Sequence, residues 1–187
     1  MTSALLVMDV QVGIVARLGD PEALLDRLTQ AVDAARSAEV PVIYVRVGFR
    51  PGYPEIPASN KTFSALAATG AFDESAPETH IHPRVAPRPG EVVVVKRRTS
   101  AFAGSDLAEV LRAGGIDTLV LTGIATSGVV LSTLRQAADL DYGLVVLSDG
   151  VADADPEVHQ VLTTKVFPRQ AAVVTVAEWA ASVVSRH

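Results

Sequence analysis

Five stretches of this chain are too uniformly apolar to have one face in water. "ALLVMD", "PVIYVRV", "EVVVVK", "TLVLTG" and "GLVVLSD" are runs of Val, Ile and Leu that lack the polar alternation of a half-exposed strand, and "AAVVTV" is a sixth candidate. Such runs belong to strands covered on both faces. Helical patterns lie between most of them. "DPEALLDRLTQAVDAARSA" sets Leu24, Leu25, Leu28, Val32 and Ala35 on one face, with Asp20 expected as N-cap and Pro21 as the first helical residue. "GSDLAEVLRAGG" repeats the pattern with Leu107, Val110 and Leu111 and stops at Gly114 or Gly115. "SGVVLSTLRQAADL" and "DPEVHQVLTTKVF" supply two more helices, the second opening on Asp155 and Pro156, and "VAEWAASVVSRH" closes the chain as a short one. Strand alternating with helix gives a parallel sheet joined by right-handed crossovers, with helices on both sides. The fold class expected is three-layer α/β.

At 187 residues and 49% apolar content, one domain over 1–187 accounts for the chain. A net charge of -5, with no basic run longer than "KRR", argues against a nucleic-acid surface and favours a small-molecule or protein partner. No Cys occurs, which excludes disulfides, thiolate metal sites and cysteine nucleophiles. "MTSALLVMDVQ" has no basic leader, and its apolar run is far shorter than the roughly 20 residues of a membrane span, so no membrane role and a cytoplasmic location are expected. One segment, Gly48 to Gly90, interrupts the alternation and holds most of the prolines. Its length suits a lid or an oligomer contact, with a short helix near "TFSALAAT".

In open α/β sheets, ligands bind beyond the carboxyl ends of the strands. The residues there are Asp9 and Gln11, Arg46 to Arg50, Lys96 to Arg98, Gly123 to Val129, and Asp149 to Asp153. Asp9 and Lys96 directly follow apolar runs, where an isolated charge is costly unless it has a partner or a task. A buried ion pair without chemistry and a catalytic pair both fit that placement. The turn "GIATSGVVLSTLR" has the Gly and Ser/Thr content of a strand-to-helix active-site turn but no evident nucleophile. Thr126 and Ser127 are read as N-caps of the following helix, because a nucleophilic hydroxyl needs a base within hydrogen-bond reach. Ser132 and Thr133 are read as packing or back-bonding residues within that helix. His80 and His82 lack a convincing third ligand, so no metal is expected. Arg46, Arg50, Arg97 and Arg98 could clamp a carboxylate or be ordinary solvated charge.

"LLVMDVQ", "VVVVKRRTSAFAGSDL" and "LVLTGIATSGVVLSTLRQAADLDYGLVVLSDGVAD" resemble three successive blocks of the isochorismatase-like (cysteine hydrolase) superfamily, in order and through nearly the whole chain. The resemblance is weakest over Gly48 to Gly90. It implies a Rossmann-like three-layer fold with a six-stranded parallel sheet, assembled as a homodimer or homotetramer. It also implies an Asp, Lys, Cys catalytic triad, of which Asp9 and Lys96 take the first two positions while the Cys position falls on Val129. Amide hydrolysis through a thioester is therefore excluded. A cis peptide between Ile124 and Ala125 is implied, with the Ala125 and Val129 amides as oxyanion donors. Gln11, Phe102, Arg46 and Arg97 are the substrate contacts expected. The Asp-x-His element of the family's metal-binding nicotinamidases is absent from "VRVGFRPGY", and neither a metal nor a cofactor is expected.

Isochorismatase proper, in the same family, also lacks the cysteine. It carries Gly where this chain has Val129, and cleaves a vinyl ether by delivering a proton from its Asp while water attacks. The expected function is hydrolysis of a small-molecule vinyl ether, ester or C-N bond by Asp9, Lys96 and water. The alternative is an inactive homologue that binds a small molecule. Whether Asp9 is acid or base depends on whether burial, which raises its pKa, outweighs the Lys96 ammonium, which lowers it.

Overall fold

In strand β1 (Ser3–Met8), consecutive side chains serve two different cores. Ala4, Leu6 and Met8 pack in a layer with Leu107 and Leu111 of helix α4 (Leu107–Ala113) and Leu134 and Ala137 of α5 (Leu131–Asp139). Leu5 and Val7 pack in the other with Leu25, Leu28 and Val32 of α2 (Glu22–Ser37) and Trp179 of α7 (Val176–Val184). Each fully buried Leu or Val contributes roughly 1.5–3 kcal/mol, and that is why the strand has no polar alternation. The computed structural model describes residues 2–184; residues 185–187, the tail of the closing helix expected from sequence, lie outside them.

The remaining strands are β2 (Val42–Val47), β3 (Val92–Lys96), β4 (Thr118–Ile124), β5 (Gly143–Ala152) and β6 (Ala172–Val174). All pair in parallel, in the order β3-β2-β1-β4-β5-β6. The chain runs outward from β1 on one side and from β4 on the other, so a crevice opens between the carboxyl ends of these two strands. Gly123 allows them to meet there. It pairs with Met8 at φ +130°, and a Cβ on it would stand 1.9 Å from the Met8 carbonyl oxygen.

Helix α2 begins one residue later than the sequence suggests. Pro21 is the N-cap and its carbonyl accepts the Leu25 N–H at 2.9 Å, while Asp20 Oδ1 accepts the Glu22 N–H at 3.3 Å from outside the helix. In α6 (Pro156–Val161), Asp155 caps as expected, accepting the Glu157 and Val158 N–H groups. The Gly48 to Gly90 segment contains the expected helix, α3 (Lys61–Ala68), capped by Asn60 Oδ1 on the Phe63 N–H at 3.1 Å. The Phe49 N–H donates to the Phe72 carbonyl and the Glu74 N–H to the Phe49 carbonyl, both at 2.8 Å. These bonds close the segment around a small core of Val47, Phe49, Phe63 and Phe72. No helix among the described residues is long and apolar enough to cross a membrane.

Candidate active site

Asp9 leaves β1 with φ +56°, its N–H held by the Val45 carbonyl at 2.8 Å. Lys96 ends β3, two strands away, and its Nζ lies 2.9 Å from Asp9 Oδ2 and donates to the Arg98 carbonyl at 2.9 Å. Both side chains are removed from water, the residues being 5% and 2% exposed. Asp9 Oδ1 is buried with no hydrogen-bond partner. Burial pushes the Asp9 carboxyl pKa up from its ordinary value, against the opposing pull of the Lys96 ammonium.

The pair lines a cavity of about 300 Å³. One wall is the turn after β4, with Ile124, Ala125, Gly128 and Val129; the facing wall is the inserted lobe, with Phe63 and Leu66 of α3 and Phe72. Ile14, just beyond β1 in the single-turn helix α1 (Val12–Val15), and Arg17 complete the entrance. A second cavity of about 320 Å³ lies between the sheet and α7, beside Ser3, Thr118 and Trp179, and Glu178 is the one titratable group among the described residues that line it.

The turn carries a cis peptide between Ile124 and Ala125. Gly128 departs from helical geometry at φ -95°, ψ -105°, which kinks the chain between Thr126–Val130 and α5. No carbonyl among the described residues accepts the Ala125 N–H. Val129, 2% exposed, is part of the cavity wall. The expected capping by Thr126 and Ser127 is not what holds the turn. Asp153, beyond β5, reaches back instead, its Oδ2 accepting the Ser127 N–H at 2.7 Å. Thr126 is fully buried, with its Oγ1 3.0 Å from His159 Nδ1. Burial lowers the His159 pKa against the opposing effect of Asp153. A hydroxyl with an imidazole beside it therefore does exist, but Thr126 is not among the residues that line the cavity. Thr133, in α5, accepts the Ala101 N–H at 2.9 Å.

Four residues expected to contact substrate do not line the cavity. Gln11 is fully buried; its amide donates to the Val47 and Thr79 carbonyls and accepts the Val47 N–H, all at 2.9 Å, so it ties β1 to β2 and the inserted lobe. Phe102 belongs to the core beneath α4 and α5, its ring 6.0 Å from that of Tyr142. Arg46 donates to the Glu74 carbonyl at 3.3 Å, and Arg97 pairs with Glu74 at 2.9 Å and with Glu55 at 3.6 Å. Arg50 and Arg98 likewise bind Glu55, through its carboxylate and its carbonyl. These arginines fasten the lobe to the sheet, because its acidic residues fold back over the strand ends. His80 is exposed, and His82 Nδ1 accepts the Arg84 N–H at 3.3 Å. Among the described residues no group of three or more His, Cys, Asp or Glu could hold a metal.

Sequence reasoning missed Arg17, the aromatic wall and His159. Phe63, Leu66 and Phe72 lie in a segment without strand or helix periodicity over most of its length. The only sign of Arg17 was its place eight residues after Asp9, in a connection to which no element was assigned.

Residues 3–178 match the isochorismatase domain family. The chain is 34% identical to the uncharacterized isochorismatase family protein YecD of Escherichia coli, over 95% of this chain and 94% of that protein. It is also 34% identical to the ureidoacrylate amidohydrolase RutB of Stutzerimonas stutzeri, over 84% of this chain and 73% of that protein. The crystal structure of a cysteine hydrolase from Pseudomonas syringae pv. phaseolicola has the same fold, with a TM-score of 0.91 over all of this chain and 94% of that one, at 23% identity.

Proposed function

The chain belongs to the isochorismatase family of hydrolases, and from that premise we propose that it cleaves a small molecule with water as the nucleophile and Asp9 as the general acid. The observation that carries this reading is the unpartnered, buried Oδ1 of Asp9 at a cavity wall, with Oδ2 held by Lys96. For an ester or C-N bond, water adds to the carbonyl carbon and the protonated Asp9 carboxyl gives its proton to the leaving oxygen or nitrogen as the bond breaks. For a vinyl ether the proton goes to the terminal alkene carbon, water adds to the oxocarbenium carbon so formed, and the hemiketal then splits into a carbonyl compound and an alcohol. In each case the surplus proton of the water returns to the Asp9 carboxylate, so the residue ends the cycle as it began. Lys96 positions the carboxyl and stabilises the charge that appears on it during transfer. The amides of Ala125 and Val129 act as donors for negative charge on a substrate carbonyl oxygen. No thiol takes part, since the chain has no cysteine. The substrate classes are vinyl ethers, esters and C-N bonds, and the likeness to a ureidoacrylate amidohydrolase favours the last.

The test is turnover by the purified protein of a panel of small vinyl ethers, esters, amides and ureido compounds. Hydrolysis of at least one, without added metal, is expected. No turnover anywhere on the panel, with binding still measurable, would leave the inactive binding homologue as the correct reading.

The field around the missing sulfur can be probed separately. In Val129→Cys the new thiol would stand on the cavity wall near Lys96 and at the start of a helix, both of which stabilise a thiolate. It is expected to react with chloroacetamide faster than free cysteine does, followed by intact mass spectrometry. A rate at or below that of free cysteine would mean that this wall does not favour negative charge.

A further inference from the structure

Two cations line the cavity among the described residues, and they are held very differently. Lys96 is buried and paired with Asp9. Arg17 is exposed, and no carboxylate among the described residues forms an ion pair with it. Its guanidinium carbon stands 5.3 Å from the centre of the Phe72 ring. That ring is a fixed platform, because Phe72 is 4% exposed and its carbonyl accepts the Phe49 N–H. A guanidinium resting on an aromatic face is oriented before anything binds, and its N–H groups suit a carboxylate.

The rest of the lining is mostly hydrocarbon, supplied by residues such as Ile14, Leu18, Phe63 and Leu66, with the hydroxyl-bearing residues Thr62 and Thr99 also present. A ligand filling the cavity therefore meets the buried Asp9 carboxyl, apolar walls and an exposed, unpaired guanidinium. The volume of about 300 Å³ is at the small end for ligand pockets, which run from roughly 300 to 1,000 Å³.

We infer that the site selects small monoanionic acids, with the substrate carboxylate bound by Arg17 and the scissile bond placed against Asp9. This assignment of substrate class rests on the hydrolase reading above. Arg17 acts in recognition and has no part in proton transfer.

The test compares matched pairs, 3-ureidopropionate and N-acetylglycine each against its own carboxamide, together with the acid and carboxamide forms of whichever panel compound turns over best. Charge-assisted hydrogen bonds to a guanidinium predict that the native enzyme favours the acid by about 10- to 100-fold in kcat/KM. In Arg17→Met, which keeps the apolar stem over Phe72, that ratio falls below about threefold; Arg17→Lys retains part of it. A native ratio near one, or a ratio unchanged in Arg17→Met, would overturn the inference. Because the ratio compares two ligands on one protein, general damage to the fold does not mimic the effect. Calorimetric binding of the same pairs to native protein and to Arg17→Met separates this inference from the hydrolase reading. An acid preference in binding that disappears in Arg17→Met, without turnover, would sustain the anion site and reject hydrolysis. Turnover without an acid preference would do the reverse.

Discussion

Asp9→Asn is expected to lower kcat on the best panel substrate by about 10³-fold, in the range of general acid catalysis, while the protein stays folded. The amide keeps the shape of the carboxyl and an oxygen for Lys96, but it has no proton to give. Stability supplies an independent reading of the same residue. Burial raises the folded-state pKa of Asp9 above its ordinary value of 3.8. The contribution of such a group is fully present below the unfolded-state pKa and is lost as pH rises through the folded one. Asparagine undergoes no such loss. The Tm of Asp9→Asn relative to the native protein should therefore climb as pH is raised from about 4 toward 7, measured by scanning calorimetry. A difference that falls with pH would show a lowered Asp9 pKa and make the residue a base.

Gly123→Ala is expected to be the most damaging single methyl in the fold. The added Cβ would stand 1.9 Å from the Met8 carbonyl oxygen, within the β1 and β4 pairing itself, at a φ of +130° that side chains rarely adopt. The obstacle is backbone, so no rotamer change relieves it; the strands must part next to Asp9. A loss of about 3–4 kcal/mol or more follows, against a total of roughly 5–15 kcal/mol for a domain. At this chain length that lowers Tm by roughly 6–16 °C or leaves the protein insoluble. Gly19→Ala is the control, since nothing lies within 4 Å of its Cβ position, and it should change stability by less than about 0.5 kcal/mol. A Gly123→Ala protein as stable as that control would mean that the β1 and β4 register at the site is not as described.

The three layers were legible because the central strands are covered on both faces, leaving runs such as residues 4–8 without a polar member. The edge strand β3 departs from that expectation, since Val92 and Val93 are exposed although their run is as apolar as the others. The Asp9 and Lys96 pair was legible for the complementary reason, since a charge that ends an apolar run needs a partner. What separates the two Asp9 oxygens was not legible, because the lobe and turn that enclose the cavity come from parts of the chain remote in sequence. The same remoteness hid the partners of Gln11, since Val47 and Thr79 lie 36 and 68 residues away. It also hid those of Arg46 and Arg97, because Glu55 and Glu74 sit in the segment with the least periodicity. The kinked turn around Val129 was readable through the family resemblance, although the residues that brace it, Asp153 and His159, were not assigned that task.

The central claim is that water attacks directly, with no covalent stage on the protein. Rapid-quench intact mass spectrometry during turnover of the best panel substrate tests it most directly. The chain mass is predicted to stay unchanged at every time point while product accumulates. A transient adduct mapped to a hydroxyl, Thr126 beside His159 above all, would contradict it.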